Sequence, residues 1–147
     1  MFASIVVGTD GSDTAHEAVR QAVALAARLG ARLQIVSAYE PVPGARLREE
    51  AQQAPPDLQW MVNQREDVDA TLRDAADVAR AGGVDAATYA RQGDPADAIL
   101  DVAEEQGADL IVVGNKGMTG ARRFLLGSVP NRVSHHAPCS VLIIRTT

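Results

Sequence analysis

Twice the chain runs through a few apolar, mostly β-branched residues and halts on a glycine: residues 2–8 read FASIVVG and residues 108–114 read ADLIVVG. A strand with one wet face alternates apolar and polar residues. These runs barely alternate, so each reads as a strand covered on both faces. What lies between them supplies the cover. Residues 9–30, TDGSDTAHEAVRQAVALAARLG, place Ala15, Ala18, Val19, Ala22, Val23, Leu25, Ala26 and Leu29 at helical spacing. Ser12, Asp13 or Thr14 can cap this helix, and Gly30 stops it. Residues 31–39, ARLQIVSAY, predict a second strand. Helix resumes over about 60–82, with Val68, Leu72, Ala75, Ala76 and Ala79 on one face and Gly82-Gly83 behind it. VDAATYARQ (84–92) predicts a weaker strand. DPADAILDVAEEQG (94–107) predicts a helix with Asp94 as cap, Pro95 in its first turn and Gly107 at its end. SVPNRVSHHA (128–137) is a short helix stopped by Pro138, and CSVLIIR (139–145) is the last strand. Strands alternating with helices throughout imply an α/β fold, a parallel sheet with helices on both faces.

At 147 residues the chain is expected to be one domain, 1–147, with a core of alanine, valine and leucine, since aromatics make up only 3%. A net charge of −5 argues against a nucleic-acid partner. No apolar run approaches the roughly 18–20 residues that cross a bilayer, and the N-terminus has no basic leader, so no membrane partner is expected. The single cysteine, Cys139, excludes an internal disulfide and suits a reducing cytoplasm. Residues 41–59 carry four prolines and mixed charge and are expected to be a flexible connection, either a solvated insertion or a lid.

The stretch after the second glycine-ended run is GNKGMTGARRFLLGS, with glycines at 114, 117, 120 and 127 among Lys116, Arg122 and Arg123. A turn needs one or two glycines. Several suggest a backbone approached closely by something. In an open parallel sheet ligands sit beyond the carboxyl ends of the strands, where the winding reverses. If the two Val-Val-Gly strands are central neighbours, Gly8, Thr9, Asp10, Val113, Gly114, Lys116 and Gly117 surround one crevice. Neither a Walker loop nor a G-x-G-x-x-G fingerprint is present. What remains is G-x-x-G, nine residues, then Gly127-Ser128 opening a helix. Its first amides lack helical partners and lie at the positive end of the dipole, which favours an anion.

Gly114-x-x-Gly117, nine residues, Gly127-Ser128 resembles the nucleotide motif of the universal stress protein family. VVGTDGS near the start and the terminal CSVLII are similar to that family's pattern, and the resemblance covers nearly the whole chain. It implies an open five-stranded parallel sheet in the order 3-2-1-4-5, Rossmann-like, in a protein that is usually a dimer. It also implies an adenine nucleotide, usually ATP with magnesium as its companion ion, while some actinobacterial-type members prefer cyclic AMP. By the same resemblance Asp10 reads the adenine or ribose, and Val36 to Ala38 form the adenine wall. Gly114 and Gly117 lie under the ribose and phosphates, and Gly127, Ser128 and Val129 cradle the phosphates. One departure stands out. Many ATP-binding members have a hydroxyl residue after Gly-Ser-Val, and this chain has Pro130, which removes an amide and a hydroxyl from the cradle. That weakens the case for a triphosphate and leaves room for a smaller anion.

Several residues admit two readings. Asp10 reads a ligand or caps the first helix. Lys116, Arg122 and Arg123 neutralise phosphates or are merely solvated. His135 and His136 suit the negative end of the last helix, His16 stands alone, and Cys139 begins an apolar strand as a small hydrophobe. Trp60 packs the long loop down or covers the base. No nucleophile–base pair and no carboxylate cluster is evident. A binding module is therefore expected, not a dedicated enzyme. The rivals are a slow ATP hydrolase and a dimeric scaffold with an empty crevice. The last strand, 139–145, is apolar on both faces and lies at a sheet edge in the implied order, so a homodimer is expected to form through it.

Overall fold

The valine-rich runs do become strands sealed on both faces. The computed structural model describes residues 1–39, 56–115 and 126–146, with 56–66 as backbone only. In chain order the elements are β1 (Ser4–Gly8), α1 (Asp13–Leu29), β2 (Arg32–Tyr39), α2 (Pro56–Ala81), β3 (Ala86–Gln92), α3 (Pro95–Glu105), β4 (Leu110–Gly114), α4 (Ser128–His136) and β5 (Ser140–Ile144). Every β1 residue is buried, and so are the first four of β4. All strand pairings are parallel, in the order β3-β2-β1-β4-β5, which is the expected 3-2-1-4-5 sheet.

The period of two along each strand sorts the core into two layers. Ile5, Val7, Leu33, Ile35 and Val112 meet α1 and α2 through Val19, Ala22, Ala26, Leu72 and Ala75. Val6, Val36, Ile111 and Val113 meet α3 and α4 through Ile99, Val102, Val129 and Val133. Alanines at 18, 22 and 26, four residues apart, let α1 lie close to the sheet. The approach is closer still at Gly82, just past α2, where a Cβ would come 2.6 Å from Val23 Cγ1 of α1.

Element types agree with the sequence, and the edges are where they differ. The helix expected from about residue 60 begins at Pro56. A proline fits a first helical turn, because its fixed φ is helical and its missing N–H has no helical partner to lose. The connection expected over 41–59 therefore falls partly on this helix, and residues 40–55 and the Trp60 side chain lie outside the described residues. Ser12, among the three candidates, caps α1: its hydroxyl accepts from the Ala15 N–H at 3.2 Å. Asp94 caps α3, accepting from the Asp97 N–H at 3.1 Å. Cys139 is half-buried beside the α3–α4 layer; burial first, and the Asp109 charge second, push its thiol pKa up.

At the amino edge of the sheet one carboxylate ties the two central strands together. Asp109, just before β4, accepts from the Ala3 N–H at 2.9 and 3.1 Å and from the Ser4 N–H at 3.0 Å, while its own N–H donates to Ser4 O at 3.0 Å. The hydrogen bond from Ala3, followed by that from Ser4, lowers the Asp109 pKa below its ordinary value. A carboxyl whose pKa is lowered by folding adds stability above its unfolded pKa and loses it as pH falls through the folded value. Asp109→Asn keeps one acceptor but cannot titrate. Its melting temperature is therefore expected to fall less steeply than the wild type's as pH drops below the usual carboxylate range. Parallel pH–melting curves for the two proteins would count against this role for Asp109.

Candidate functional site

Because all five strands are parallel, their carboxyl ends share one edge, and the chain's winding reverses between β1 and β4. α1 and α2 cover one face and α3 and α4 the other, so the crevice of an open α/β sheet falls at this point. The two Val-Val-Gly strands are indeed central neighbours. They are not superimposed, however: Ile5 pairs with Leu110, Val6 with Ile111 and Val7 with Val112. Matching letters are thus one residue out of step, and a one-residue step exchanges the faces. Val6 looks towards α3 and α4, and its sequence counterpart Val112 towards α1 and α2.

The turn after β1 is held by its own polar groups. The Thr9 N–H donates to Val36 O at 2.9 Å, and Thr9 Oγ1, on a residue only 2% exposed, accepts from the Gly11 N–H at 3.1 Å. Asp10 Oδ1 accepts from the Ser12 N–H at 2.9 Å. Asp10 therefore shapes the turn ahead of the helix cap, and its second carboxylate oxygen has no partner among the described residues. Gly11 has φ +82°, where an L side chain is strained. A Cβ there would also lie 2.8 Å from Thr71 Oγ1 on α2.

On the other side of the crevice the start of α4 is fixed from β4. The Gly127 N–H donates to Asn115 O at 3.0 Å, and the first helical bond runs from the Asn131 N–H to Gly127 O at 3.0 Å. Pro130 has no N–H. Among the described residues the Ser128 and Val129 amides of this first turn have no acceptor, and they lie at the positive end of a nine-residue helix. Gly127 has φ −60° and ψ 163°, an extended conformation open to any residue, so no left-handed backbone requires glycine here. His135 and His136 occupy the last turn of α4 and are exposed, as their place on the dipole suggests.

Of the predicted site residues, Gly8, Thr9 and Asp10 lie at the end of β1 and in its turn, Val36 and Ala38 near the end of β2, and Val113 and Gly114 at the end of β4. Gly127, Ser128 and Val129 open α4. The side chains of Val36 and Val113 are core, and Val36 O is taken by Thr9, whereas Ala38 is half-buried. Lys116, Gly117, Arg122 and Arg123 lie outside the described residues. Sequence reasoning overlooked two residues. Asn115, inside the glycine motif, joins three elements. Arg132 of α4 pairs with Asp97 at 2.9 Å and with Asp94 at 3.7 Å, linking α4 to the start of α3. Only its position one turn after Ser128 could have drawn attention to it. Among the described residues no three His, Cys, Asp or Glu side chains gather to hold a metal ion, and no helix is long and apolar enough to cross a membrane.

Comparison with known proteins adds the following. Residues 1–145 match the model of the universal stress protein family. A universal stress protein of Thermus aquaticus is 39% identical over 99% of this chain and 100% of its own length. A universal stress protein solved in complex with cAMP is 37% identical with a TM-score of 0.76, over 99% of each chain. The universal stress protein from Archaeoglobus fulgidus, solved in complex with dAMP, is 26% identical with a TM-score of 0.68, over 97% of this chain and 98% of that one.

The β1 turn yields a stability prediction. Gly11→Ala imposes both a left-handed alanine and the contact with Thr71, and is expected to cost about 1–3 kcal/mol. Combining it with Thr71→Ala should recover the steric part only. Chemical denaturation of the single and double variants measures this. A Gly11→Ala protein as stable as the wild type would refute the account of this turn.

Proposed function

Since this chain belongs to the universal stress protein family, we propose that it binds an adenine nucleotide, with the phosphate on the first turn of α4 and the base beyond the carboxyl ends of β1 and β2. The observation that carries this reading is the fixed opening of α4: Gly127 tied to the end of β4, with two amides beyond it directed past the helix end. The cAMP and dAMP complexes of its structural neighbours support adenine as the base. Between the two candidate ligands, Pro130 favours cyclic AMP. With one amide missing from the turn, two donors match one phosphate better than three. ATP, with magnesium carried on its phosphates, is the second candidate. Asp10 would meet the ribose or base with its second carboxylate oxygen, while Lys116, Gly117 and Arg123 would complete the phosphate side from the motif. The protein acts as a single-domain, cytoplasmic binding module that responds to nucleotide, without dedicated turnover.

Titration calorimetry with cyclic AMP and ATP tests the reading. Dissociation constants weaker than about millimolar for both, worth only ~4 kcal/mol, would end it. Gly127→Ala and then Gly127→Val should weaken binding stepwise, because each adds bulk where an anion meets bare backbone. A charge-assisted hydrogen bond is worth roughly 1.5–3 kcal/mol, so losing one costs about ten- to a hundredfold in affinity. Both variants keep an accessible φ, and thermal melting of the ligand-free proteins checks that the fold survives. Tight binding by a well-folded Gly127→Val protein removes Gly127 from the site.

We also propose a homodimer through residues 139–145. β5 is an edge strand, and it leaves Leu142 39% and Ile143 38% exposed. These two side chains point to opposite faces of the strand, and a second copy of β5 beside it would cover both and pair the outer backbone edge. Light scattering at micromolar concentration is expected to give twice the chain mass, and Leu142→Asp with Ile143→Asp the mass of one chain. A wild-type monomer, or a dimer that persists in the folded double variant, contradicts this arrangement.

A further inference from the structure

Four hydrogen bonds meet at Asn115. Its N–H donates to Ile144 O at 2.8 Å, at the end of β5. Its C=O accepts from the Gly127 N–H at 3.0 Å, at the opening of α4. Its side-chain Oδ1 accepts from both the N–H and the hydroxyl of Thr146, at 2.9 and 2.8 Å. The side chain is thus held by two donors on one oxygen, and each of the two peptide groups flanking Asn115 is tied, the one before it to Ile144 and the one after it to Gly127. Rotating the Asn115 carbonyl out of place would break the bond to Gly127 and leave the opening of α4, with its Ser128 and Val129 amides, without that tie to β4.

We infer that Asn115 is a positioning residue for phosphate binding: its side chain, anchored on Thr146 beyond the edge strand, orients the peptide that aims the first turn of α4. This rests on the proposed nucleotide reading. Asn115 touches no phosphate in this role. It acts through Gly127, and the edge strand becomes a structural support of the binding site. Thr146 has a defined place in that support, since half of the anchor is its hydroxyl.

The test uses Asn115→Ala, Thr146→Val and the double variant in the full chain, with two readouts. The first is hydrogen exchange of the Gly127 amide without ligand, with the Val112 amide of the β1–β4 core as internal reference. The second is affinity for cyclic AMP against affinity for adenosine, which lacks the phosphate. With Asn115→Ala, Gly127 exchange is expected to speed up while Val112 is unchanged. Cyclic AMP should weaken by ~3–10-fold, the equivalent of about one neutral hydrogen bond, and adenosine should stay within about twofold. Thr146→Val should act in the same direction and less. The double variant should match Asn115→Ala, because both substitutions remove the same anchor. Unchanged Gly127 exchange, or parallel weakening of cyclic AMP and adenosine, overturns the inference. A wild-type protein that binds neither ligand removes the nucleotide reading and the inference with it. A wild-type protein that binds cyclic AMP, alongside an Asn115→Ala protein of equal affinity, removes the inference alone.

Discussion

The pairing of β1 with β4 is the constraint from which the rest of the molecule follows. Ile5, Val6, Val7, Ile111 and Val112 are all fully buried, and burying such a side chain contributes about 1.5–3 kcal/mol each. Two strands with no face left for water need helices on both sides and strands on both edges. α1 and α2 meet the first need on one face, α3 and α4 on the other. β2 and β4 satisfy the backbone of β1, and β5 satisfies the far side of β4. Polar groups near this centre are placed where they complete it. Asp109 closes the amino edge against Ala3 and Ser4, and the Ser4 hydroxyl donates to Gln34 Oε1 at 3.2 Å within the buried sheet.

The same pairing creates the crevice. Parallel neighbours that send their chains in opposite directions leave a gap at their carboxyl ends, and the turns there must be held by contacts of their own. Individual hydrogen bonds do this work, some within the turn and some to distant strands. Thr9 and Asp10 fold the β1 turn onto itself, and Asn115 holds the end of β4 against β5 and α4. Among the described residues, the Ser128 and Val129 amides at the start of α4 are left without a backbone partner.

The fold was legible in the sequence because its signals are local and periodic. The all-apolar runs at 5–7 and 110–113 and the alanine spacing of α1 each admit one interpretation. The strand order came from resemblance, since periodicity does not say which strands are neighbours. The site was partly legible. Gly127-Ser128 reads as a helix opening from composition alone, whereas Asn115 carries its role through partners 12 and 31 residues away along the chain (127 − 115 and 146 − 115), which no local pattern records. The twin Val-Val-Gly runs illustrate the limit. Their likeness pointed correctly to adjacent central strands, but register is set by the packing of both faces, and it places the two runs one residue out of step.

The sheet order also sets a schedule for synthesis. β1, β2 and β3 with α1 and α2 are contiguous in the chain, so this half can assemble as it leaves the ribosome. β4 does not begin until Leu110, and at about 5–20 residues per second that is a wait of several seconds or more. Throughout it one edge of β1 has no partner. An open edge beside exposed valines invites the corresponding β4–α4–β5 segment of another nascent chain, the beginning of a domain swap. In the folded chain the Asp109 carboxylate, immediately ahead of β4, meets Ala3 and Ser4 and so fixes where the right strand lies against β1. Because the crevice is bounded by both halves, a nucleotide held there as proposed would engage only after this final docking, and its binding would report a chain that has closed on itself.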